Sequence, residues 1–204
     1  MERIVIVTAC DDNYAPYCGI LITSIFYNNK GSKVIVNILT DYISEKNRAL
    51  LEQLSDSFGQ TINVVYIDKK LVSHLPLPSH APQINICTYY RLLIPTIFPN
   101  EERIIYLDCD MIVRKSLVDL WNTDLTGVAF AGVRDCYLMQ SSCCTRLKYP
   151  VEDYYYNAGM GLYNITYLLE VGFDKIVKKF VDNNYDLIKC HDQDILNACF
   201  HGHF

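Results

Sequence analysis

The sequence lacks several features by which common protein classes are recognised. It has no Cys-x-x-Cys pair, and its one close pair, Cys143-Cys144, is not spaced for zinc, so no zinc framework is expected. No apolar run reaches the length of a membrane span, and the run from Met1 to Val7 is too short for a signal peptide. A glycine-rich phosphate loop of Gly-x-Gly-x-x-Gly or Walker type is also missing. That absence disfavours a dinucleotide fold of the dehydrogenase kind.

The chain also lacks an excess of basic residues, because 18 Lys and Arg face 23 Asp and Glu. A net charge of -5 gives no general electrostatic footprint for nucleic acid, so no nucleic-acid partner is expected. Its nine cysteines are an odd number, and a chain of 204 residues can build a core without disulfides. We therefore expect reduced, mostly buried thiols and a cytoplasmic location. Repeats and linkers are absent as well, so residues 1–204 are expected to form a single domain.

What the sequence does contain is an alternation of β-branched runs and amphipathic stretches. It predicts strands at residues 4–9, 34–39 and 62–67, with helices at 15–28 and 45–58 between them. This order predicts an α/β fold with a mostly parallel central sheet and helices on both faces. The pattern further predicts a helical segment at 86–98, a short helix at 116–121, a strand at 127–133, a loop or short helices at 136–153, a helix at 167–183 and a helix from residue 191.

The segment from Arg103 to Val113 carries the strongest indication of chemistry. A short apolar strand leads directly into Asp108 and Asp110. On an extended backbone these two side chains would share one face, and Cys109 would point to the other. Two carboxylates at the carboxyl end of a buried strand can hold a divalent cation, and open α/β sheets bind ligands at that end. The alternative is a polar strand end that makes turn and cap hydrogen bonds, since Asp-x-Asp is a short motif.

The turn after the first strand is acidic and amide-bearing rather than glycine-rich. Asp11 and Asn13 can hydrogen-bond a nucleoside, whose phosphates could then reach a cation at Asp108 and Asp110. Such a cation would neutralise a leaving diphosphate, which is the chemistry of a nucleotide-sugar transferase. Arg91, among tyrosines, is either a surface residue or a cation placed for phosphate, and the pattern leaves both open.

Two further stretches have a structural and a functional interpretation. Gly159 and Gly161 would let the backbone approach a ligand closely, or they could mark a bulge in a strand. Asp192 and Asp194 stand at the start of the helix from residue 191, where the helix dipole favours acids. Capping alone would explain them.

Five short motifs, taken in order along the chain, resemble those of the family 8 retaining glycosyltransferases, which include bacterial lipooligosaccharide galactosyltransferases and glycogenin. They are Ala9-Cys10-Asp11-Asp12-Asn13-Tyr14, Thr88-Tyr89-Tyr90-Arg91-Leu92, Leu107-Asp108-Cys109-Asp110, Tyr156-Asn157-Ala158-Gly159 and His191-Asp192-Gln193-Asp194-Ile195-Leu196-Asn197. Each motif alone is weak, but their order covers essentially the whole chain. The resemblance implies a GT-A-type fold, the Rossmann-like domain of nucleotide-diphosphosugar transferases.

The resemblance also implies an activity. A hexose would pass from UDP-glucose or UDP-galactose to a glycan or lipid-linked saccharide acceptor, with retention of configuration and with Mn²⁺ or Mg²⁺. It implies lipopolysaccharide biosynthesis and a cytoplasmic location, peripheral at the inner membrane. The implied site residues are Ala9, Asp11 and Asn13 for uridine; Asp108 and Asp110 for the metal, with Cys109 between them; Arg91, Asn157, Ala158, Asp192 and Gln193 for the donor sugar; and Tyr14 and Asp135 toward the acceptor.

Gln193 and Asp192 are the implied catalytic residues, with Gln193 beneath the anomeric carbon. An amide is a weak nucleophile with no proton to lose. We therefore favour front-face attack, in which the departing phosphate takes the proton of the acceptor.

The chain departs from the family pattern in two ways. A downstream His-x-x-Gly-x-x-Lys-Pro-type segment, which gives the family a third metal ligand and a lysine for the diphosphate, is not present, and His201 and His203 come too early to replace it. We therefore expect the C-terminal part of the family fold to be missing and metal and donor binding to be weak. Gln83 stands where some relatives carry His, so the resemblance does not imply which glycan or lipid-linked saccharide is the acceptor.

Two other functions remain as alternatives. One is a nucleotide-sugar-binding remnant with little or no turnover. The other is a haloacid-dehalogenase-like phosphatase, in which Asp108 would be the nucleophile. That class normally carries its motif on the first strand, whereas here about one hundred residues of α/β structure precede it.

Overall fold

A computed structural model describes residues 1–77, 85–136 and 140–204; Gln83 therefore lies outside the described residues. The strands of its sheet are β1 (Arg3–Ala9), β2 (Lys33–Thr40), β3 (Thr61–Tyr66), β4 (Arg103–Leu107), β5 (Phe130–Arg134) and β6 (Tyr156–Asn164). They lie in the order β3-β2-β1-β4-β6-β5. Strands β1 to β4 pair in parallel, and β6 runs antiparallel to both β4 and β5. The predicted mostly parallel sheet is confirmed.

The helices connect the strands and cover both faces of the sheet. They are α1 (Ala15–Asn28), α2 (Glu45–Phe58), α3 (Ile94–Ile97), α4 (Val118–Trp121), α5 (Gln140–Leu147), α6 (Ile165–Glu170), α7 (Phe173–Asn184) and α8 (His191–Phe200). Short 3₁₀ helices span Lys69–Leu71, Ile86–Leu93, Val151–Asp153 and Tyr185–Leu187. Within the described ranges, no helix is both long and apolar enough to cross a bilayer.

Side-chain alternation along β1 and β4 divides the core into two layers. Val5 and Tyr106 face the layer that contains α6 to α8, whereas Ile4 and Leu107 face the layer that contains α1 and α2. These two strands are apolar on both faces because each face is covered by helices. The polar residues therefore collect where the strands end, at 10–14 after β1 and at 108–110 after β4.

Several element boundaries differ from the prediction for identifiable reasons. The helix predicted at 167–183 is two helices, because Gly172 adopts φ 76° and ends the first of them. The strand predicted from Gly127 begins only at Phe130, since Gly127 has φ 76° and lies in a turn. The segment 86–98 is a 3₁₀ helix followed by α3, whose first turn contains Pro95.

Helices α1 and α2 each carry a large apolar residue on the outer side. Ile20 of α1 and Leu50 of α2 are each 55% exposed. The predicted ends of α2 are confirmed, with the Ser44 hydroxyl accepting from the Asn47 N–H and Gly59 at φ 59°. Part of the segment 136–153 forms α5 and a short 3₁₀ helix, as predicted, and residues 137–139 lie outside the described residues.

Candidate active site

The carboxyl ends of β1 and β4 open into a cavity of about 290 Å³. It is lined by Ala9, Cys10, Asp11, Tyr14, Asn85, Cys87, Thr88, Arg91, Tyr106, Asp108, Cys109 and Asp110. Because β1 and β4 are neighbouring parallel strands, the turn after the first strand meets the Asp-x-Asp turn. The sequence thus predicted the location of the cavity and the two turns that form most of its wall.

The turn after β1 is held rigidly by its own carboxylates. Asp11 accepts from the Tyr14 backbone N–H at 2.9 Å and from the Asn85 side-chain amide at 2.7 Å. Asp12 accepts from the backbone N–H of Ser44 at 2.8 Å, which lowers the pKa of Asp12 and ties the turn to the start of α2. Asn13 is exposed in the same turn and is not a lining residue of the cavity.

The Asp-x-Asp segment is a turn rather than the extended strand end that alternation assumed. The Met111 N–H donates to the Asp108 carbonyl at 3.2 Å and closes the turn. Both carboxylates nevertheless line the cavity. Cys109 lines it as well and also packs against the core layer of α1 and α2, so the three side chains are not divided between two faces as alternation predicted. One oxygen of Asp108 accepts from the Tyr106 hydroxyl at 3.1 Å, while Asp110 is exposed. Asp108 is thus fixed in orientation, and Asp110 faces solvent.

Arg91 is 5% exposed, which excludes the interpretation as a surface residue. Its guanidinium donates to Asp108 at 2.7 Å and to Asp192 at 2.9 Å, and it lies 4.4 Å from the centroid of the Tyr106 ring. It also donates to the carbonyls of Thr88 and Ala158. Arg91 therefore joins the Asp-x-Asp turn to the start of α8 and uses most of its donors inside the protein.

Burial and neighbouring charges shift the pKa values of both Arg91 and Asp192. Burial raises the pKa of Asp192, and the nearby Asp108 raises it further, whereas Arg91 and the hydroxyl of Thr88 oppose the shift. Burial alone would lower the pKa of Arg91, but Asp192 and Asp108 outweigh it, and the pKa rises well above the ordinary value. The guanidinium is therefore permanently charged and makes the buried carboxylate tolerable.

A second polar cluster lies beside the cavity and holds Gln193, Asp135 and Asn157. The Gln193 amide donates to Asp135 at 2.8 Å, and its oxygen accepts from the Ala158 N–H at 3.0 Å. The same Asp135 oxygen accepts from the Asn157 amide at 3.3 Å. Asp135, predicted to lie toward the acceptor, thus also orients two residues predicted to lie at the donor sugar.

Gly159 is the point where the two clusters meet. A Cβ at this position would lie 2.6 Å from Oδ2 of Asp108 and 2.9 Å from Oδ1 of Asn157. Its backbone N–H donates to Asn157 at 2.8 Å, and its carbonyl accepts from the Asp108 N–H at 2.8 Å. Close approach is therefore the reason for glycine here. Gly161 pairs with Tyr106 and Gly132 in the ladders, where a Cβ would meet only ordinary contacts.

The fit to a divalent cation can be tested on these residues. Among the described residues, no group of three or more His, Cys, Asp or Glu is placed to hold a metal ion. Magnesium-type cations, however, are commonly held by one or two carboxylates together with water and substrate phosphate oxygens. The missing side chain of Gly159 leaves Oδ2 of Asp108 open, and Asp110 is exposed. The pair therefore fits a cation that arrives with an oxygen-rich ligand such as a diphosphate.

Tyr106, Asn85 and Cys87 line the cavity and were missed from the sequence. Tyr106 stands two residues before Asp108 on the same strand face, so the period of two could have identified it. Asn85 reaches Asp11 from 74 residues away, and its local sequence gives no sign of this. Asp194 of the fifth motif contributes to the fold instead. It is fully buried and is bound by Arg146 at 2.7 Å and by the Tyr155 hydroxyl at 2.7 Å.

The chain matches glycosyl transferase family 8 over residues 5–204. It is 32% identical over 202 residues to a lipopolysaccharide 1,2-glucosyltransferase of Escherichia coli, covering 95% of this chain and 57% of that protein. It is 28% identical to general stress protein A of Bacillus subtilis, covering 95% and 68%. The crystal structure of the galactosyltransferase LgtC with donor and acceptor sugar analogs superposes with a TM-score of 0.88 at 29% identity, covering 98% and 72%. The chain spans between 57% and 68% of the length of three curated relatives.

Proposed function

The chain belongs to glycosyl transferase family 8, and from this membership we propose that it transfers a hexose from UDP-glucose or UDP-galactose to a glycan or lipid-linked saccharide acceptor, with retention of configuration and with Mn²⁺ or Mg²⁺. One observation carries the proposal: a single cavity joins the turn after β1 to the Asp-x-Asp turn after β4. The relatives include a glucosyltransferase and a galactosyltransferase, so the donor hexose is left open between the two. Lipopolysaccharide is the proposed acceptor class, at the cytoplasmic side of the inner membrane.

The nucleoside would be held at the turn after β1. Asp11 is fixed by Asn85 and by the Tyr14 N–H, so its oxygens have a set direction for a base or ribose. Ala9 lines the same wall, and Asn13 lies at the exposed edge, where it would close over the nucleoside from outside. Preorganised groups of this kind bind without a further ordering cost.

The diphosphate would be held through Asp108 and Asp110. A bound Mn²⁺ or Mg²⁺ would neutralise the charge of the leaving diphosphate. Arg91 and Tyr106 fix the orientation of Asp108, whereas Asp110 is exposed and can turn toward the cation.

The donor sugar would lie over Gly159, between Asp192, Asn157, Ala158 and Gln193. Gln193 has both ends of its amide engaged, by Asp135 and by the Ala158 N–H. A weakly nucleophilic amide held in this way suits a group that positions or stabilises a sugar cation better than a group that forms a covalent bond. We therefore keep front-face attack, in which the acceptor hydroxyl gives its proton to the departing phosphate. Tyr14 and Asp135 lie on the proposed acceptor side.

The direct test measures sugar transfer and hydrolysis by the 204-residue chain. The chain is incubated with UDP-glucose or UDP-galactose and Mn²⁺, with and without a lipopolysaccharide core acceptor, and the anomeric configuration of the product is read by NMR. Calorimetry with UDP and Mn²⁺ is run in parallel. Turnover with retention supports the proposal, and inversion of configuration contradicts it.

The parallel calorimetry distinguishes an active transferase from a nucleotide-sugar-binding remnant. UDP binding without any turnover of either donor would support a nucleotide-sugar-binding remnant and overturn the enzymatic proposal. Absence of both binding and turnover would overturn both. The phosphatase alternative is not retained, because the family match covers nearly the whole chain.

A further inference from the structure

Helix α1 has an apolar outer face that does not pack against the core. In a chain of which 20% is charged, none of the 14 residues of this helix is charged. Its inner face packs against the sheet through Leu21, Ile25 and other buried residues. A helix that is apolar all round is normally covered on every side. Yet its outer residues are among the most exposed large hydrophobic residues of the described chain: Tyr17 54%, Ile20 55% and Tyr27 63%.

The segment that follows the Asp-x-Asp turn extends this face. Ile112 is 66% exposed and lies beside the helix. The Val113 N–H donates to the Ser24 hydroxyl at 2.9 Å, and the Asn28 amide donates to the Val113 carbonyl at 2.9 Å. The segment is thus fixed along α1, with a groove of about 460 Å³ between them. Tyr17, Ile20, Tyr27 and Ile112 are called the docking face below.

The border of the docking face is cationic. The ammonium of Lys30 lies 4.4 Å from the centroid of the Tyr27 ring, Arg114 lines the groove, and Lys115 is exposed next to it. Neither α1 nor residues 112–115 contain a carboxylate. The whole chain carries -5, so this positive border is a local feature on an acidic protein. Its charge complements an anionic surface.

We propose that the docking face binds the surface of an anionic lipid bilayer. Tyrosine rings lie favourably at the level of the headgroups, isoleucines insert below them, and flanking Lys and Arg are attracted by anionic lipid. A second copy of the chain suits this face less well. In a two-fold interface the same patch meets itself, which would bring the cationic borders of the two copies together.

Bilayer binding here would set the cavity beside the membrane. Tyr14 lines the cavity, and its ring lies 5.5 Å from that of Tyr17 on the docking face. Asp110 of the Asp-x-Asp turn is only two residues from Ile112. The inference deepens the proposed function by naming the surface that would contact the inner membrane. Its test is separate from that of the proposed function, because lipid binding is measured without turnover.

Cosedimentation with vesicles tests the proposal. The 204-residue chain is mixed with vesicles of equal parts phosphatidylglycerol and phosphatidylcholine, or of phosphatidylcholine alone, at low and at physiological salt. We expect binding to the anionic vesicles, weaker binding at the higher salt and little binding to the neutral ones. Failure to bind anionic vesicles, or equal binding to neutral ones, would overturn the proposal.

Matched variants locate the binding surface. Ile20→Glu is compared with Leu50→Glu on α2, since both residues are 55% exposed. Arg114→Glu is compared with Lys46→Glu, an exposed residue of α2 that undergoes the same charge reversal. Ile20→Glu and Arg114→Glu should each lower the bound fraction at least about fivefold, and the two controls should not. Circular dichroism checks that each variant is folded, and Arg114 is an exposed residue.

Two results with these variants would contradict the proposal. Equal loss of binding in the docking-face variants and in their controls would show that the surface is not specific. Self-association in ultracentrifugation that Ile20→Glu abolishes, without vesicle binding by the wild-type chain, would assign the face to a second copy.

Discussion

The two carboxylates of the Asp-x-Asp turn differ in what holds them. Asp108 is bound by Arg91 and Tyr106, so its removal would disturb the buried network as well as any bound cation. Asp110 is exposed and lines the cavity. A substitution at Asp110 therefore separates cation binding from folding, and one at Asp108 does not.

Asp110→Asn should lower kcat/KM for the UDP-sugar about 100-fold or more, because a charged metal ligand is lost. The free energy of unfolding should change by less than about 0.5 kcal/mol, as expected at an exposed position. Steady-state kinetics and urea denaturation measure the two quantities. Asp119→Asn, an exposed carboxylate in α4, makes the same charge change away from the cavity and should leave kcat/KM unaltered. Turnover at the wild-type rate in Asp110→Asn would remove the metal from the proposal.

Gly159→Ala should damage the site through a single methyl group. The new Cβ would lie 2.6 Å from Oδ2 of Asp108, whose carboxylate is held by Arg91 and cannot move freely. We expect a tenfold or greater loss of kcat/KM and a destabilisation of about 1–3 kcal/mol. Gly161→Ala, on the same strand, meets Tyr163 at 3.4 Å and is the control. If both variants kept full activity, close approach at Gly159 would not matter for the site.

At the scale of single residues, local rules reach only part of the site. The ability of Gly159 to let the backbone approach a ligand and the shared face of Tyr106 and Asp108 follow from local rules, although Tyr106 itself was missed. The burial of Arg91 between Asp108 and Asp192 does not, because Asp192 is 101 residues away and only the folded sheet brings it close. Periodicity left Arg91 undecided for this reason.

Among the elements, α5 and α8 are joined by one buried ion pair. Arg146 of α5 binds Asp194 of α8, which also accepts from the backbone N–H groups of Lys189 at 2.6 Å and Cys190 at 2.7 Å. The acidic start of α8 therefore does more than cap its own helix. Through Asp194, it fixes α8, the helix that carries Gln193, to α5.

Asp194→Asn should cost about 3–5 kcal/mol of unfolding free energy, because it leaves Arg146 and the buried N–H groups without their charged partner. Asp182→Asn is the matched control. Asp182 pairs with Lys178 across one exposed helix turn, where the loss should be about 0.5 kcal/mol or less. Denaturant titration of both variants measures the difference. Similar small losses in the two would show that the buried pair has no special weight.

The ends of the elements could be predicted where a glycine or a cap marks them. Ser44 and Gly59 set α2 as predicted, and Gly172, inside an apparently continuous helical pattern, divides α6 from α7. The exposed outer faces of α1 and α2 could not be predicted from periodicity. A helix with apolar residues on several sides, such as α1, gives no preferred inner face.

For the whole molecule, the order of β-branched runs was sufficient to predict a mostly parallel α/β sheet, and the cavity follows at the carboxyl ends of its strands. The antiparallel β6, inserted between β4 and β5, was not predicted, since its neighbours are set by pairing across more than fifty residues. The same strand brings Gly159 to Asp108, so the part of the site that sequence alone missed depends on this insertion.

The buried carboxylates also determine how the stability of the molecule depends on pH. Burial alone would raise the pKa of Asp194, but Arg146 and the N–H groups of Cys190 and Lys189 outweigh it and lower the pKa below the ordinary value. The pKa of Asp41 is lowered as well, because Lys69 at 2.6 Å outweighs the effect of burial. A carboxyl whose pKa is lowered by folding stabilises the folded state above its ordinary pKa of about 4, and that contribution is lost as the pH falls.

Asp192 acts with the opposite sign, because burial raises its pKa. Asp192 therefore affects stability in the pH range above about 4. Within that range, lowering the pH protonates the buried carboxyl and stabilises the folded state. We expect the free energy of unfolding to fall steeply only below about pH 4, and to fall less steeply in Asp194→Asn than in the wild-type chain. Urea denaturation at a series of pH values measures both slopes. Equal slopes for the two proteins would mean that Asp194 titrates alike in the folded and unfolded chains, and that its ion pair does not govern acid stability.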